Sequence, residues 1–184
     1  VGAILLYFRF RLDFGDSFKT VFYAVFHSVS AFCNAGFSLY SNSLEQFSNS
    51  FFITFVIGGL ITLGGIGFGV IDSVITYIKD RKKRFNLTSR VAIKVSLWLL
   101  ILGTVIFFFT EGSNINTIKN YSILEKINVS LFQSITTRTA GFNSIDISRL
   151  NPATIFLFLF LMFVGASPGS TGGGIKTTTF GVII

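Results

Sequence analysis

The chain has 184 residues, of which 51% are hydrophobic and 12% charged, and 24 of them are phenylalanine. Bilayer proteins commonly have this composition and soluble domains rarely do, so the sequence predicts an integral membrane protein. The net charge of +7 does not indicate nucleic-acid binding, because most basic residues lie between apolar runs and fit membrane topology instead. With one cysteine and one histidine, we expect no disulfide framework, no transition-metal site and no cofactor in this chain.

Both ends of the sequence lie inside apolar runs, at residues 1–8 and 180–184. We therefore expect an internal piece of a longer protein, in which the first and the last helix are cut. The lack of a signal peptide then carries no information.

Two apolar stretches, residues 17–32 and 123–137, are too short to cross a bilayer. About 15 residues extend roughly 22 Å as a helix, against about 30 Å of hydrocarbon. The second stretch opens with Ser122 and Glu125 in a capping-box pattern. We predict re-entrant helices that enter from the outer side, and an amphipathic helix on the outer leaflet is the alternative.

Both short stretches end in the same motif. Its copies read Phe-His-Ser-Val-Ser-Ala-Phe-Cys-Asn-Ala-Gly-Phe-Ser, at residues 26–38, and Phe-Gln-Ser-Ile-Thr-Thr-Arg-Thr-Ala-Gly-Phe-Asn, at residues 132–143. Repetition at a spacing of about a hundred residues indicates a duplicated module. We interpret the module as helix, re-entrant loop, helix. His27, inside the first copy, is interpreted as a hydrogen-bonded packing residue rather than a proton relay.

Long apolar runs predict membrane-spanning helices at residues 51–78 and 91–110. The first run contains several glycines, which let membrane helices pack closely, and Asp72 is its only charged residue. Between the two runs, residues 79–90 carry six basic side chains and one acid. By the positive-inside rule this basic loop is cytoplasmic, which puts both short stretches at the outer side.

The last apolar run is interrupted. A helix is predicted from residue 152, because Pro152 suits a first helical turn, but residues 165–179 are rich in glycine and hydroxyl side chains. This stretch would begin about half-way across the bilayer. Irregular backbone is tolerated at that depth only where it is buried in protein or lines a water-filled cavity.

The backbone after each short helix is suited to binding a cation. A helix that enters from outside directs the negative end of its dipole toward the bilayer centre, and backbone carbonyls can replace the hydration shell of potassium. Glycine permits the conformations that turn such carbonyls toward one axis. The candidate residues are Asn34, Ala35, Gly36, Phe37, Thr139, Ala140, Gly141 and Phe142.

These motifs, together with residues 165–179, resemble the Trk/Ktr/HKT superfamily of potassium uptake proteins, and most of all the bacterial KtrB-type membrane subunit. The resemblance covers nearly the whole chain. It implies an all-α integral membrane fold, in which four units of transmembrane helix, re-entrant pore loop and transmembrane helix surround one pore. Residues 1–78 would be the second unit and residues 91–184 the third.

The resemblance also implies the parts of each unit. The second unit has a cut outer helix, a pore loop at about 17–40 and an inner helix at 51–78. The cytoplasmic loop 79–90 connects it to the third unit. The third unit has an outer helix at 91–110, a pore loop at about 122–145 and a broken inner helix at 152–184, which is also cut.

Potassium uptake through a channel-like pathway is the function that the resemblance implies. Gly36 and Gly141 would be two of four filter glycines. From its position alone, just before the second filter stretch, Arg138 could repel cations, but we expect it to brace the loop through backbone carbonyls or a nearby carboxylate. A gate loop would lie under the filter, formed by Gly165, Ser167, Gly169, Ser170, Thr171, Gly172, Gly173, Gly174 and Lys176. Potassium would be the substrate.

The implied setting is a multi-pass protein of a bacterial cell membrane. The full-length chain would form a homodimer on a cytoplasmic ring of nucleotide-binding regulatory subunits of the KtrA or TrkA type. A sodium-permeating or sodium- or proton-coupled symporter of the same superfamily is the alternative. A nucleotide-binding enzyme is not indicated, because Ile175 separates Lys176 from the preceding glycines, against the Walker pattern.

Overall fold

The computed structural model describes residues 1–81 and 86–183, and every regular element in these two ranges is a helix. The α-helices are α1 (Gly2–Phe14), α2 (Phe18–Phe32), α3 (Phe51–Ile66), α4 (Phe68–Lys79), α5 (Leu87–Glu111), α6 (Ile123–Thr136), α7 (Pro152–Phe163) and α8 (Thr177–Ile183). Two short 3₁₀ turns, Glu45–Phe47 and Ile147–Arg149, lie in the connections.

The two short helices form where the sequence predicts them. Ser17 caps α2, since its hydroxyl accepts a 3.3 Å hydrogen bond from the Thr20 amide. At α6 the capping box is complete, because the Glu125 amide donates to the Ser122 hydroxyl and the Ser122 amide donates to the Glu125 carboxylate at 2.8 Å. With 15 and 14 residues, α2 and α6 are both too short to span a bilayer.

Helix α5 is the one helix of the described residues that is long and apolar enough to span a membrane by itself. Only 22% of its most apolar window is buried within the chain. It begins at Leu87, four residues before the predicted start, because Asn86 caps it by accepting a hydrogen bond from the Thr88 amide. The predicted cytoplasmic loop is correspondingly shorter, and its residues 82–85 lie outside the described residues.

The prediction of one continuous helix at residues 51–78 is wrong. Helices α3 and α4 meet at Gly67 with a bend of 96°, and Gly67 has a φ of 89°, which favours glycine. A Cβ at this position would lie 2.4 Å from the Pro168 carbonyl oxygen. The bend is therefore the place where the glycine-rich segment after α7 passes against α3.

Backbone groups that the bend frees from α3 and α4 are paired by this segment, residues 165–176. The Phe68 amide donates to the Gly169 carbonyl at 3.1 Å. In the other direction, the Gly64 carbonyl accepts from the Thr171 amide at 3.2 Å and the Gly65 carbonyl accepts from Ser167 at 3.0 Å. Pairing of this kind is what non-helical backbone requires at membrane depth.

The interruption after α7 is confirmed. Pro152 occupies the first turn of α7, and the helix ends at Phe163. The following backbone folds back on itself, because the Gly165 amide donates to the Ile175 carbonyl at 3.1 Å and the Ala166 amide donates to Gly173 at 2.9 Å. Helix α8 then resumes at Thr177.

Two apolar cores correspond to the two repeats. Leu6 and Phe10 of α1, Ala24 of α2 and Ile57 of α3 are buried in the first, which Phe132 of α6 also enters. The second core joins α5, α6 and α7 through buried side chains that include Leu99, Phe107, Val129, Leu157 and Leu161. Helix α6 therefore contributes to both cores and connects the repeats.

Candidate functional site

The two motif copies adopt the same backbone conformation after α2 and α6. We call residues 34–37 and 139–142 the first and second candidate filters. Asn34 and Gly36 have φ values of 51° and 71°, and Thr139 and Gly141 have values of 73° and 81°. Successive carbonyls of an extended strand point to opposite sides. When every second residue has a positive φ, successive carbonyls can point to the same side instead. The pattern therefore lets neighbouring carbonyls face one axis.

Hydroxyl groups of the motif hold each candidate filter to its own helix. The Ser30 hydroxyl donates to the Phe37 carbonyl at 2.8 Å, and the Thr136 hydroxyl donates to the Phe142 carbonyl at the same distance. These two carbonyls were predicted to face an ion together with those of the other candidate residues. The structure directs each of them toward its helix instead, because the hydroxyl lies there.

A second pair of equivalent bonds begins each candidate filter. The Ala35 amide donates to the Ser30 carbonyl at 2.9 Å, and the Ala140 amide donates to the Thr136 carbonyl at 2.9 Å. These bonds close the last turn of each helix onto the first residues of the filter segment. The Ala35 and Ala140 amides are therefore bonded to their own helices.

His27 fixes the exit of the first candidate filter. Its side chain is fully buried, with Nδ1 2.7 Å from the Tyr23 carbonyl, while Nε2 accepts from the Leu39 amide at 3.3 Å. Nδ1 must donate to a carbonyl and Nε2 must accept from an amide, so the ring is neutral. Gln133 takes the equivalent place in the second copy and donates to Ser144 at 3.1 Å. The interpretation of His27 as a packing residue is confirmed.

The two candidate filters lie side by side. A Cβ at Gly36 would be 2.6 Å from the Ala140 carbonyl oxygen and 2.9 Å from the Gly141 Cα. Beyond them, the Asn143 amide donates to the Ser43 hydroxyl at 3.0 Å, so the exits are also joined. A cavity of about 440 Å³ adjoins the second candidate filter and is also lined by apolar side chains of α7.

Residues 165–176 contact the start of both candidate filters. The Gly173 amide donates to the Thr139 hydroxyl at 3.1 Å, and a Cβ at Gly172 would lie 3.1 Å from Asn34 Nδ2. The Thr171 hydroxyl donates to the Phe32 carbonyl, at the carboxyl end of α2. The structure therefore brings together the predicted gate loop and the predicted filter.

Side chains within this segment mainly bond the segment itself. The Lys176 amine donates to the Gly172 carbonyl at 2.9 Å, and the Ser170 hydroxyl donates to the Ser167 carbonyl at 2.6 Å. Ser167 and Thr177 share a buried hydroxyl contact of 2.9 Å. Gly169 and Gly174 take positive φ values of 67° and 76°, which explains glycine at these two positions.

The comparisons with known proteins agree with this geometry. A family model named TrkH and described as cation transport protein matches residues 2–184. The chain belongs to the TrkH family. The structure of the potassium transporter TrkH from Vibrio parahaemolyticus superposes with a TM-score of 0.72, at 23% identity, over 99% of this chain and 37% of that one. The all-α membrane fold and the resemblance seen in the sequence are confirmed.

Two curated relatives are similar to this TrkH-family chain over its whole length. The potassium/sodium uptake protein NtpJ of Enterococcus hirae is 39% identical over 184 residues, and the Ktr system potassium uptake protein B of Vibrio alginolyticus is 37% identical over 182 residues. The matches cover 100% and 99% of this chain but 40% of each relative. The chain therefore spans about two fifths of the length of these relatives.

Arg138 does not brace the second candidate filter as predicted. No hydrogen bond or ion pair of its side chain occurs among residues 1–81 and 86–183, and its Nε atom is buried without a partner. The side chain instead lines a small cavity together with Asn34, Gly65 and Ala166.

Sequence reasoning missed a buried carboxylate at the outer end of α5. Glu111 is 0% exposed, and one of its oxygens accepts from the Asn151 amide at 2.8 Å and from the Thr154 hydroxyl. Its other oxygen accepts from Asn114 and Thr117, each at 2.7 Å. The only sequence feature that pointed to this buried carboxylate was the position of Glu111 at the end of an apolar run. The carboxylate ties α5 to the first turn of α7.

A buried polar bond between the repeats was also missed. The Thr54 hydroxyl of α3 donates to the Asn128 side-chain oxygen of α6 at 2.8 Å, and the Asn128 amide donates to the Ser48 carbonyl. Neither residue stood out in the sequence, because their contact joins positions that are 74 residues apart. Within the part of the chain that the structure describes, no group of three or more His, Cys, Asp or Glu side chains could hold a metal ion.

Proposed function

We propose that this chain supplies two of the pore units of a channel-like potassium uptake protein. The observation that carries the proposal is the pair of candidate filters, which share an alternating φ pattern and lie side by side at the carboxyl ends of two short helices. The names of the relatives from Enterococcus hirae and Vibrio alginolyticus support potassium as the substrate. The chain has no need of a catalytic group for this function.

In the proposed mechanism, backbone carbonyls of Asn34 to Gly36 and of Thr139 to Gly141 replace water around a dehydrated cation. The carboxyl ends of α2 and α6 add the negative ends of two helix dipoles at the same place. Ser30 and Thr136 hold the segments at a fixed spacing through the Phe37 and Phe142 carbonyls. Two further units, from the rest of the full-length protein, would complete the ring of carbonyls.

Residues 165–176 would act as the gate. They contact Thr139, Asn34 and the carboxyl end of α2, so they would obstruct the path directly under the filter. The bonds that hold them are amide and hydroxyl bonds to α3, α2 and Thr139. Each such bond contributes about 1 kcal/mol net, so a small set of them can be broken by a conformational change of the surrounding helices.

The proposed setting is a multi-pass protein in a bacterial cell membrane. The potassium uptake protein of Vibrio alginolyticus is named as part of a Ktr system. The homodimer of the full-length chain on a cytoplasmic nucleotide-binding ring is proposed from the family resemblance seen in the sequence. The basic loop around residues 79–90 would face that ring. A sodium-permeating protein is the second candidate, since the Enterococcus hirae relative is named a potassium/sodium uptake protein.

The test is uptake of potassium and sodium by the full-length parent protein, in a host without potassium transport of its own, before and after Gly141→Ser. Gly141 is the better position because the nearest atom to an added Cβ, the Gly36 Cα, is 3.4 Å away, whereas at Gly36 a carbonyl oxygen lies at 2.6 Å. We expect the wild-type protein to take up potassium selectively and the Gly141→Ser variant to take up sodium as well, since a side chain at a φ of 81° distorts the carbonyls.

Gly59→Ser is the matched control, because Gly59 lies in α3 with no atom within 4 Å of an added Cβ. Its selectivity should equal that of the wild type. Sodium uptake by the wild-type protein would favour the second candidate function. A selectivity that Gly141→Ser leaves unchanged would contradict the filter assignment.

A further inference from the structure

We propose that Arg138 sets the affinity of the filter for the transported cation, because its positive charge weakens cation binding at the inner end of the filter and so promotes release. The proposal rests on the proposed function. It concerns a side chain that the carbonyl mechanism does not use and that has no partner among the described residues.

Arg138 lies at the point where three elements meet. It follows the last turn of α6 and directly precedes Thr139, the first residue of the second candidate filter. Its side chain lines a narrow cavity with Asn34 of the first candidate filter, Gly65 of α3 and Ala166 of the gate loop. The guanidinium therefore lies behind both candidate filters, close to the carboxyl ends of α2 and α6.

Among residues 1–81 and 86–183, no carboxylate forms an ion pair with Arg138. The ion pairs of the described residues join Arg9 to Asp13, Arg11 to Asp16 and Arg149 to Asp146, none of which involves Arg138. Arg138 is half-buried, and its Nε atom is buried without a hydrogen-bond partner. A charged group that is partly withdrawn from water without a carboxylate is costly, and an ionisable side chain at membrane depth is by default a functional candidate.

The first motif copy shows that the loop forms without an arginine. When the two Ala-Gly-Phe sequences are aligned, Cys33 takes the place of Arg138, and Cys33 is exposed. The first copy nevertheless has the same positive φ values and the same hydroxyl bond to its Phe carbonyl. The arginine is thus not needed for the backbone conformation, and it makes the two sides of the filter electrically unequal.

Electrostatics gives the direction of the effect. The helix dipoles and carbonyls attract a cation to this end of the filter, and a fixed positive charge behind them opposes that attraction. At a separation of roughly 10 Å and an effective dielectric constant of about 20, Coulomb's law gives an approximately tenfold weaker affinity. An ion that is held less tightly leaves faster, as conduction requires.

The experiment compares Arg138→Gln and Arg138→Lys in the full-length protein, with potassium uptake measured as a function of external potassium. Arg138→Gln removes the charge, so we expect KM to fall about tenfold by the same Coulomb estimate and the maximal rate to fall with it. Arg138→Lys keeps the charge and should keep both values within about twofold. Arg149→Gln, on an exposed arginine that pairs with Asp146, is the control and should change neither.

Cys33→Lys provides the reverse test on an exposed side chain, where burial does not complicate folding. A second positive charge at the equivalent position should raise KM, whereas Cys33→Gln should not. The proposal is overturned if Arg138→Gln and Arg138→Lys change KM alike, or if Cys33→Lys leaves KM unchanged. If the wild-type protein transports no potassium, the proposed function itself is wrong. This outcome can be told apart from the two KM results, because those require measurable potassium uptake by the wild type.

Discussion

Hydroxyl groups explain why the motif carries Ser30 in one copy and Thr136 in the other. Each lies in the last turns of a short helix, and each donates its proton to the carbonyl of the Phe that ends the filter segment. No other residue type of this size both fits a helix and donates such a bond. The hydroxyl is therefore the link between helix and filter, and it sets the distance between them.

Thr136→Val keeps the volume of the side chain and removes this bond. The Phe142 carbonyl is then left buried without its partner, which costs about 1–3 kcal/mol. We expect lower potassium over sodium selectivity in uptake assays of the full-length protein, with normal amounts of protein in the membrane. Thr104→Val is the control, because the Thr104 hydroxyl only bonds the Leu100 carbonyl of its own helix. Equal selectivity in both variants would contradict the role given to Thr136.

At the level of whole helices, α3 and the glycine-rich segment supply hydrogen-bond partners for each other's backbone. The bend at Gly67 exposes backbone groups of α3 and α4, and residues 165–176 supply the partners. Neither element is complete alone, since each leaves polar backbone unpaired at membrane depth. Bend and segment thus depend on one another, although about a hundred residues separate them in the sequence.

Helix lengths and caps could be predicted from the sequence, but this bend could not. Ser17, Ser122 and Pro152 are local signals, and the helices begin beside them. The glycines of α3 are compatible with close packing and with a break alike. The break occurs at Gly67 because the Pro168 carbonyl lies against this residue, and the two are close only in the folded chain.

Gly67→Ala tests whether the bend positions the gate. An alanine there must adopt a φ of 89° and place its Cβ 2.4 Å from the Pro168 carbonyl, so the segment has to shift. We expect faster potassium uptake at the same amount of membrane protein, because the shift withdraws the segment from Thr139. Gly69→Ala, at an exposed position with no neighbour within 4 Å and no positive φ, should leave the rate unchanged. A slower rate in Gly67→Ala, with protein present, would contradict the gate.

Over the whole molecule, the two repeats form one body through α6. Its side chains enter both cores, its Asn128 bonds Thr54 of α3, and Asn143 beyond it bonds Ser43. The arrangement keeps the two candidate filters at a fixed separation, as a carbonyl ring requires. The repeated motif predicts two equivalent modules, and the family resemblance implies that they surround one pore. The polar bonds that join them could not be predicted, because they connect positions 74 and 100 residues apart.

The orientation of this body in the membrane is the last prediction. Basic residues near residue 81 belong to the cytoplasmic side by the positive-inside rule, and residues 143–150 then lie outside. In a cysteine-free full-length protein, Ser148→Cys should react with a membrane-impermeant maleimide in intact cells, since Ser148 is exposed. Arg81→Cys, which is also exposed, should react only after the cells are permeabilised. The opposite labelling would invert the whole assignment, because α2 and α6 would then enter from the cytoplasm and the gate segment would face outward.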